Sequence, residues 1–185
     1  MTDSERLLLA LAPEGGHIVA SSYGANAAVI AAQQQPEVVH SLALFEPACF
    51  DLVRETPAVE EHIAAMSPAY AVANDARVSA RDFSRLFSEG MGTEPPILPA
   101  GELLEAVGRL RSMSPPWGTG IVAALGLPVP TLVVTGGCSD LYDQTARALV
   151  ALGATHVELP GAGHSAHKDT RSTELLRGFW EKHAG

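Results

Sequence analysis

An apolar run that passes almost directly into an alanine-rich helix is the feature that most constrains this chain. Residues 17–21 form a β-capable run, residues 25–32 are strong helix formers, and only three residues separate the two. A strand that turns this sharply into a helix needs small residues two positions before and two positions after the apex. Ala20 and Gly24 meet that need when Ser22 is the apex. The pattern therefore predicts a nucleophile elbow that presents Ser22 at the carboxyl edge of a sheet.

Three further apolar runs continue the same alternation of strands and helices. The pattern predicts buried strands at residues 42–45, 131–135 and 155–159. They are followed by Glu-Pro, Gly-Gly and Pro-Gly, respectively. Helical patterns at 144–152 and 173–182 follow the last two runs. Continuous apolar strands alternating with helices are typical of a parallel sheet covered on both faces. We therefore predict an α/β fold with a parallel sheet of about four strands and flanking helices.

Residues 51–125 break this rhythm. They contain short helical patches separated by joints rich in proline and glycine. An insertion of helices between two strands of such a sheet is expected to form a cap. The predicted organisation is therefore a core made of residues 1–50 and 126–185, with a helical cap insertion at 51–125. The cap would select the substrate, whose identity the sequence does not reveal.

Charge and composition narrow the expected partners. The chain has 12 Lys and Arg against 21 Asp and Glu, which gives a net charge of −9. Such a charge repels phosphate backbones and anionic lipids, so we expect neither nucleic acid nor a membrane as a partner. The partner expected of a capped enzyme is a small-molecule substrate. No apolar run approaches the roughly 18 residues that span a bilayer, no secretory signal is evident, and Cys49 and Cys138 stand far apart. These features predict a cytoplasmic protein.

A serine nucleophile needs a base, and His164 is the candidate. It follows the last predicted strand in the segment PGAGHS, where Gly161 and Gly163 leave the loop free to bring an imidazole toward the elbow. The expected order on this fold is nucleophile, acid, then histidine, and His164 satisfies it. His167 invites the alternative of a metal pair, but no cluster of further ligands accompanies it, so we expect no metal.

These motifs resemble the α/β-hydrolase fold family, of the esterase, haloperoxidase and C–C hydrolase type. The resemblance is carried by residues 15–50, with Ser-Tyr-Gly, the alanine-rich helix and SLALFEP, and by residues 130–180, with GAGH and the closing helix. Ala20 and Ser21 stand where the family often has Gly and His. The resemblance implies a Ser–His–acid triad, no cofactor, and the backbone amide of Tyr23 as an oxyanion-hole donor.

The acid of the triad has two candidates. The resemblance places an Asp three residues after a Gly at the end of the strand at 131–135, and counting from Gly137 gives Asp140. Asp143 lies nearby and is expected to occupy a surface turn. Some relatives place the acid after the preceding strand, where this chain has Glu46 in Phe-Glu-Pro. We favour Asp140, since an acid in either place can orient the imidazole.

The resemblance also implies that the chain is N-terminally shortened. Family members have several more strands before the elbow, and a loop after one of them supplies a second oxyanion amide. The strand near His17–Ser21 would then be an edge with unpaired backbone groups, open to pairing in a homo-oligomer. Two hypotheses remain. One is a serine hydrolase acting on an ester, thioester or activated carbonyl; the other is a non-catalytic or truncated half-domain that serves binding or assembly.

Overall fold

Four strands form one parallel sheet in the computed structural model, which describes residue 10 and residues 15–137 and 139–183. The strands lie in the order β1-β2-β3-β4, so each pairs with its neighbour in sequence. Their bounds are β1 Gly16–Ser21, β2 Val39–Phe45, β3 Thr131–Thr135 and β4 Thr155–Glu158. The predicted α/β fold with a parallel sheet of about four strands is confirmed.

Helices connect these strands and make up the inserted segment. The α-helices are α1 Gly24–Gln34, α2 Pro57–Ala71, α3 Ala80–Gly90, α4 Ala100–Arg111, α5 Asp140–Ala151 and α6 Thr170–His183. Short 3₁₀-helices span Phe50–Val53, Ala123–Leu125 and Gly163–Lys168. None of the helices in the described part of the chain has the length and apolar character needed to cross a membrane.

Both faces of the sheet are covered, which explains why its strands are apolar throughout. Leu42 and Leu44 of β2 belong to a core that includes buried residues of α1 and α5. Ala43 and Phe45, which point to the opposite face, pack with Phe179 of α6. The alternation follows from the two-residue period of a strand. This packing fixes the carboxyl ends of β1, β2 and β3 side by side.

The chain divides into two compact units. One comprises residues 1–53 and 116–185, and the other is the helical segment 54–115. The division differs from the predicted insertion at 51–125, because the residues on either side of the helical segment belong to the core unit. Asp51 shows why: its carboxylate accepts hydrogen bonds from the amides of Gly118 and Thr119, both at 2.7 Å. The role of the helical unit as a cap stays a prediction.

Strand β1 is one of the two edge strands of the described sheet, β4 being the other. It pairs with β2 on one side, and Val19 in its centre is 46% exposed. An open strand edge carries unpaired backbone donors and acceptors. Self-association through residues 17–21 stays a prediction. Of the two cysteines, Cys49 is buried and free, and Cys138 lies outside the described residues.

Candidate functional site

Ser22 stands on strained backbone between β1 and α1. Its φ angle is +51°, in the left-handed region that residues other than glycine rarely adopt. A Cβ added to Gly24 would lie 3.9 Å from the Cβ of Ala20, so these two small residues face each other across the turn. A methyl group at position 24 would already be in van der Waals contact with Ala20, so the turn has room only for small side chains at these positions. The sharp strand-to-helix turn predicted at Ser22 has this geometry.

Backbone hydrogen bonds hold the elbow against the end of β2. The Ser22 amide donates to the carbonyl of Phe45 at 2.8 Å, and the Ser22 carbonyl accepts from the amides of Ala25 and Ala48, both at 3.1 Å. The side-chain amide of Asn26 donates to the Ala48 carbonyl at 2.9 Å. The turn that carries Ser22 and the turn that follows β2 are therefore one connected structure.

Glu46 occupies the first position after β2 and is also strained. Its φ angle is +45°, and its side chain is 1% exposed. The amide of Gly136 donates to its Oε1 atom. Its Oε2 atom is buried without a hydrogen-bond partner among the described residues, and it lies 3.8 Å from Nδ1 of His164. Strained backbone is common at functional sites, where the surrounding structure holds the residue in its unfavourable conformation.

His164 reaches the carboxyl edge of the sheet because two glycine backbones touch. A Cβ on Gly136, just after β3, would lie 2.2 Å from the carbonyl oxygen of Gly163, so only glycine permits this approach. Gly163 itself has a φ angle of +60°. The His164 ring packs on Tyr142 of α5 with 4.8 Å between centroids, and its side chain is 45% exposed. Nδ1 faces Glu46, which leaves Nε2 available to a nucleophile.

Asp140 does not join this arrangement. It begins α5 with its side chain 66% exposed, and its carboxylate pairs with Arg147 at 3.1 Å and with the side-chain amide of Gln144. Asp143 lies in the same first turn of α5. No ion pair joins either aspartate to His164 among the described residues. The geometry thus favours Glu46 over Asp140, the reverse of the preference drawn from the sequence.

Ser22 and His164, the predicted nucleophile and base, both follow strands of the sheet at its carboxyl edge. Within the described part of the chain, Ser22 makes no side-chain hydrogen bond to His164. Its neighbour Ser21 does contact the histidine segment: the Ser21 hydroxyl lies 3.3 Å from Nδ1 of His167. Catalytic hydrogen bonds are often long before substrate binds and shorten in the complex. The arrangement is compatible with proton transfer from Ser22 to His164 after substrate enters.

Two further groups, the Tyr23 amide and the Cys49 thiol, bear on the chemistry that is possible beside Ser22. The Tyr23 amide, at the N-terminus of α1, donates to no other described residue, as expected for the first amides of a helix. It can donate to an anion at the elbow. Burial, followed by the charge of Asp51, raises the pKa of the Cys49 thiol well above its ordinary range. Cys49 therefore stays protonated and is not a competing nucleophile.

The described side chains include no cluster suited to a metal ion. No group of three or more His, Cys, Asp or Glu side chains with suitable geometry occurs within residues 15–137 and 139–183. His167 is engaged by Ser21.

Sequence reasoning missed the contacts that assemble the site. Gly136 and Gly163 signalled turns, but their mutual approach depends on two segments that are distant in sequence. The stacking of Tyr142 on His164 carries no local sequence signal. The sequence did carry a signal for the buried acid: Glu46 directly follows an apolar strand, which is an unusual place for a charged residue.

Comparison with known proteins places these features in a family. The Alpha/beta hydrolase family model matches residues 2–177 of the 185-residue chain. A search of curated proteins found no match to this chain. Similar solved structures include NosK from Streptomyces actuosus, at 23% identity and a TM-score of 0.59. Others are a bacterial membrane phospholipase A, at 19% and 0.66, and the 2-hydroxy-6-oxo-6-phenylhexa-2,4-dienoate hydrolase of Rhodococcus sp. strain RHA1, at 17% and 0.55.

These similarities extend over 99%, 98% and 91% of this chain, respectively. In return the chain covers 77% of NosK, 63% of the phospholipase and 64% of the Rhodococcus hydrolase, so it spans less than two thirds of the last two. At such identities the likeness shows a common fold and nothing of the substrate. With the family match extending over nearly the whole sequence, the chain belongs to the Alpha/beta hydrolase family.

Proposed function

We propose that this chain is a serine hydrolase that acts on an ester, thioester or activated carbonyl of a small substrate. Ser22 is the nucleophile, His164 the general base, and Glu46 the acid that orients the imidazole. The observation that carries the proposal is the buried Glu46 carboxylate, which lies 3.8 Å from Nδ1 of His164 at the strand ends where Ser22 stands on strained backbone. Membership of a hydrolase family supports the reaction class.

The reaction begins when the Ser22 hydroxyl attacks the substrate carbonyl carbon. His164 takes the hydroxyl proton at Nε2 as the new C–O bond forms, and the carbonyl oxygen becomes an oxyanion. When the tetrahedral intermediate collapses, His164 returns that proton to the leaving alcohol or thiol. Water, activated by the same imidazole, then attacks the acyl-enzyme, and the acid product leaves Ser22 free.

Glu46 serves this cycle through charge and orientation. While His164 carries the extra proton it is an imidazolium, and a carboxylate beside Nδ1 stabilises that charge. The Gly136 amide holds the other carboxylate oxygen, so the Oε2 atom is directed at the ring. Asp140 is engaged with Arg147 on an exposed surface, which supports assigning the acid to Glu46.

The Tyr23 amide is proposed as one oxyanion donor. Enzymes of this fold take a second donor from a loop that follows an earlier strand. Loss of one such donor reduces transition-state stabilisation by about 3 kcal/mol. The alternative function is a non-catalytic half-domain that serves binding or assembly, and the labelling experiment below distinguishes it from a hydrolase.

Intact-mass labelling of the purified chain with a fluorophosphonate probe tests the proposal. An activated serine forms a Ser–O–P bond and expels fluoride, so one adduct is expected on the wild-type chain. Ser22→Ala should abolish that adduct, while Ser67→Ala, a change on the exposed surface of α2, should leave it intact. A folded wild-type sample that takes no label, or a label that survives Ser22→Ala, would refute the proposal and favour the non-catalytic half-domain.

A further inference from the structure

The segment that carries His164 is held only loosely by its own backbone. It is the 3₁₀-helix Gly163–Lys168, whose geometry is broken at Ser165, with φ −96° and ψ 28°. Such a short and irregular helix has few internal hydrogen bonds to fix it. Contacts with the rest of the core must therefore set the position of the histidine.

One anchor lies at the centre of the segment. Ala166 is fully buried in the same hydrophobic cluster as Ala43 and Phe45 of β2, and the hydroxyl of Ser172 donates to its carbonyl at 2.6 Å. This anchor fixes the depth of the segment but not its rotation about the buried point. Rotation would move the flanking side chains along the strand ends, His164 included.

In addition to the close backbone approach of Gly163 to Gly136, two side-chain contacts on opposite sides of that anchor resist such a rotation. On one side His164 approaches Glu46, at the end of β2. On the other side Nδ1 of His167 lies 3.3 Å from the hydroxyl of Ser21, the last residue of β1. Ser21 directly precedes Ser22, so this contact ties the histidine segment to the strand that carries the nucleophile.

We propose that Ser21 and His167 form a positioning pair that sets the distance between Ser22 and His164. The inference rests on the proposed serine hydrolase function and gives Ser21 and His167 a role in positioning its base. Neither residue contacts the reacting atoms in this reading; both act through His164. Either tautomer of His167 serves, because a hydroxyl both donates and accepts hydrogen bonds.

The pair predicts a specific pattern in the rate of fluorophosphonate labelling. Because a single exposed hydrogen bond contributes little free energy, Ser21→Ala and His167→Ala should each reduce the labelling rate by about three- to tenfold. Ser21→Thr and His167→Asn keep a hydrogen-bonding group near the same place and should restore most of the rate. The double variant should be no slower than the slower single variant, because both changes break the same contact. His40→Ala, at the opposite end of β2, is the matched histidine control and should not change the rate.

A second measurement does not depend on activity. In a Ser22→Ala background, long-range ¹H–¹⁵N NMR of the imidazoles should show the His164 resonances shifting when Ser21→Ala is added, although position 21 does not touch that ring. Wild-type labelling rates in Ser21→Ala, or His164 resonances that do not move, would overturn the positioning role. If the wild-type chain takes no label, the proposed function fails, and the NMR experiment still decides whether Ser21 and His167 position His164.

Discussion

Replacement of Glu46 by glutamine separates the two candidate acids most sharply. A glutamine has the same shape and can still accept the hydrogen bond from Gly136. It also presents an NH₂ group toward Nδ1 of His164, which favours the tautomer that carries its proton on Nε2. That tautomer cannot accept a proton from Ser22. The change should therefore remove both the orienting acid and the correct tautomer while preserving the packing.

The size of the effect follows from the separation of the two groups. At 3.8 Å, and with an effective dielectric constant of about 20, a carboxylate stabilises an imidazolium by about 4 kcal/mol. Each 1.36 kcal/mol corresponds to about a tenfold change in rate, so about a thousandfold loss is the upper estimate. Because the His164 side chain is 45% exposed, solvent screens part of this interaction, and we expect a loss of about 30- to 1000-fold in Glu46→Gln.

Asp140→Asn is the matched control, since it changes an acid to its amide at the other candidate position. Its carboxylate is 66% exposed and pairs with Arg147, and exposed pairs are worth at most about 1 kcal/mol. Hydrolysis of an activated ester, or the rate of fluorophosphonate labelling, provides the assay. A larger loss in Asp140→Asn than in Glu46→Gln would refute the assignment.

The Tm of Glu46→Gln distinguishes a loss of catalysis from misfolding of the variant. In the wild-type chain the Oε2 atom is buried without a hydrogen-bond partner in the described structure, and burying a carboxylate with one oxygen unsatisfied is costly. Removing that charge should leave Tm unchanged or raise it. A loss of activity with an undiminished Tm therefore reports on chemistry, whereas a parallel fall in Tm would point to misfolding.

Two further predictions concern the contacts that support the site. Gly136→Ala should reduce labelling by more than tenfold, because its Cβ would lie 2.2 Å from the Gly163 carbonyl and push the His164 segment away; a labelling rate equal to wild type would contradict this. Burial raises the pKa of Asp51, but hydrogen bonds from Gly118, Thr119 and Gly120 outweigh it and hold the pKa below its ordinary value. A lowered pKa contributes stability that is present above the unfolded value near pH 4 and is lost as the pH falls through the folded value. Asp51→Asn should therefore lower the free energy of unfolding in urea by about 1 kcal/mol at pH 7, and by progressively less below about pH 4. If wild type and variant differed by the same free energy at every pH, the ionised carboxylate would not be the source of the stability.

The sequence by itself determined the elements of this fold. Each strand, and the helices beside it, is specified by local patterns of apolar residues, so the four-stranded parallel sheet could be predicted. The elbow at Ser22 was equally local, because a sharp turn imposes small residues at Ala20 and Gly24 whatever the rest of the chain does. His164 could be found from its place in the chain order and from its flanking glycines.

Only the tertiary structure decided which acid faces His164. Asp140 and Glu46 both follow strands, and the distance along the sequence does not tell which of them turns inward. In the structure β2 is central, so the residue that leaves it is enclosed by its neighbours, while the Asp140 side chain at the start of α5 is exposed. The backbone contact of Gly136 with Gly163 then carries the imidazole to the buried carboxylate. Such contacts join segments far apart in the chain, and they depend on close packing that no local pattern encodes.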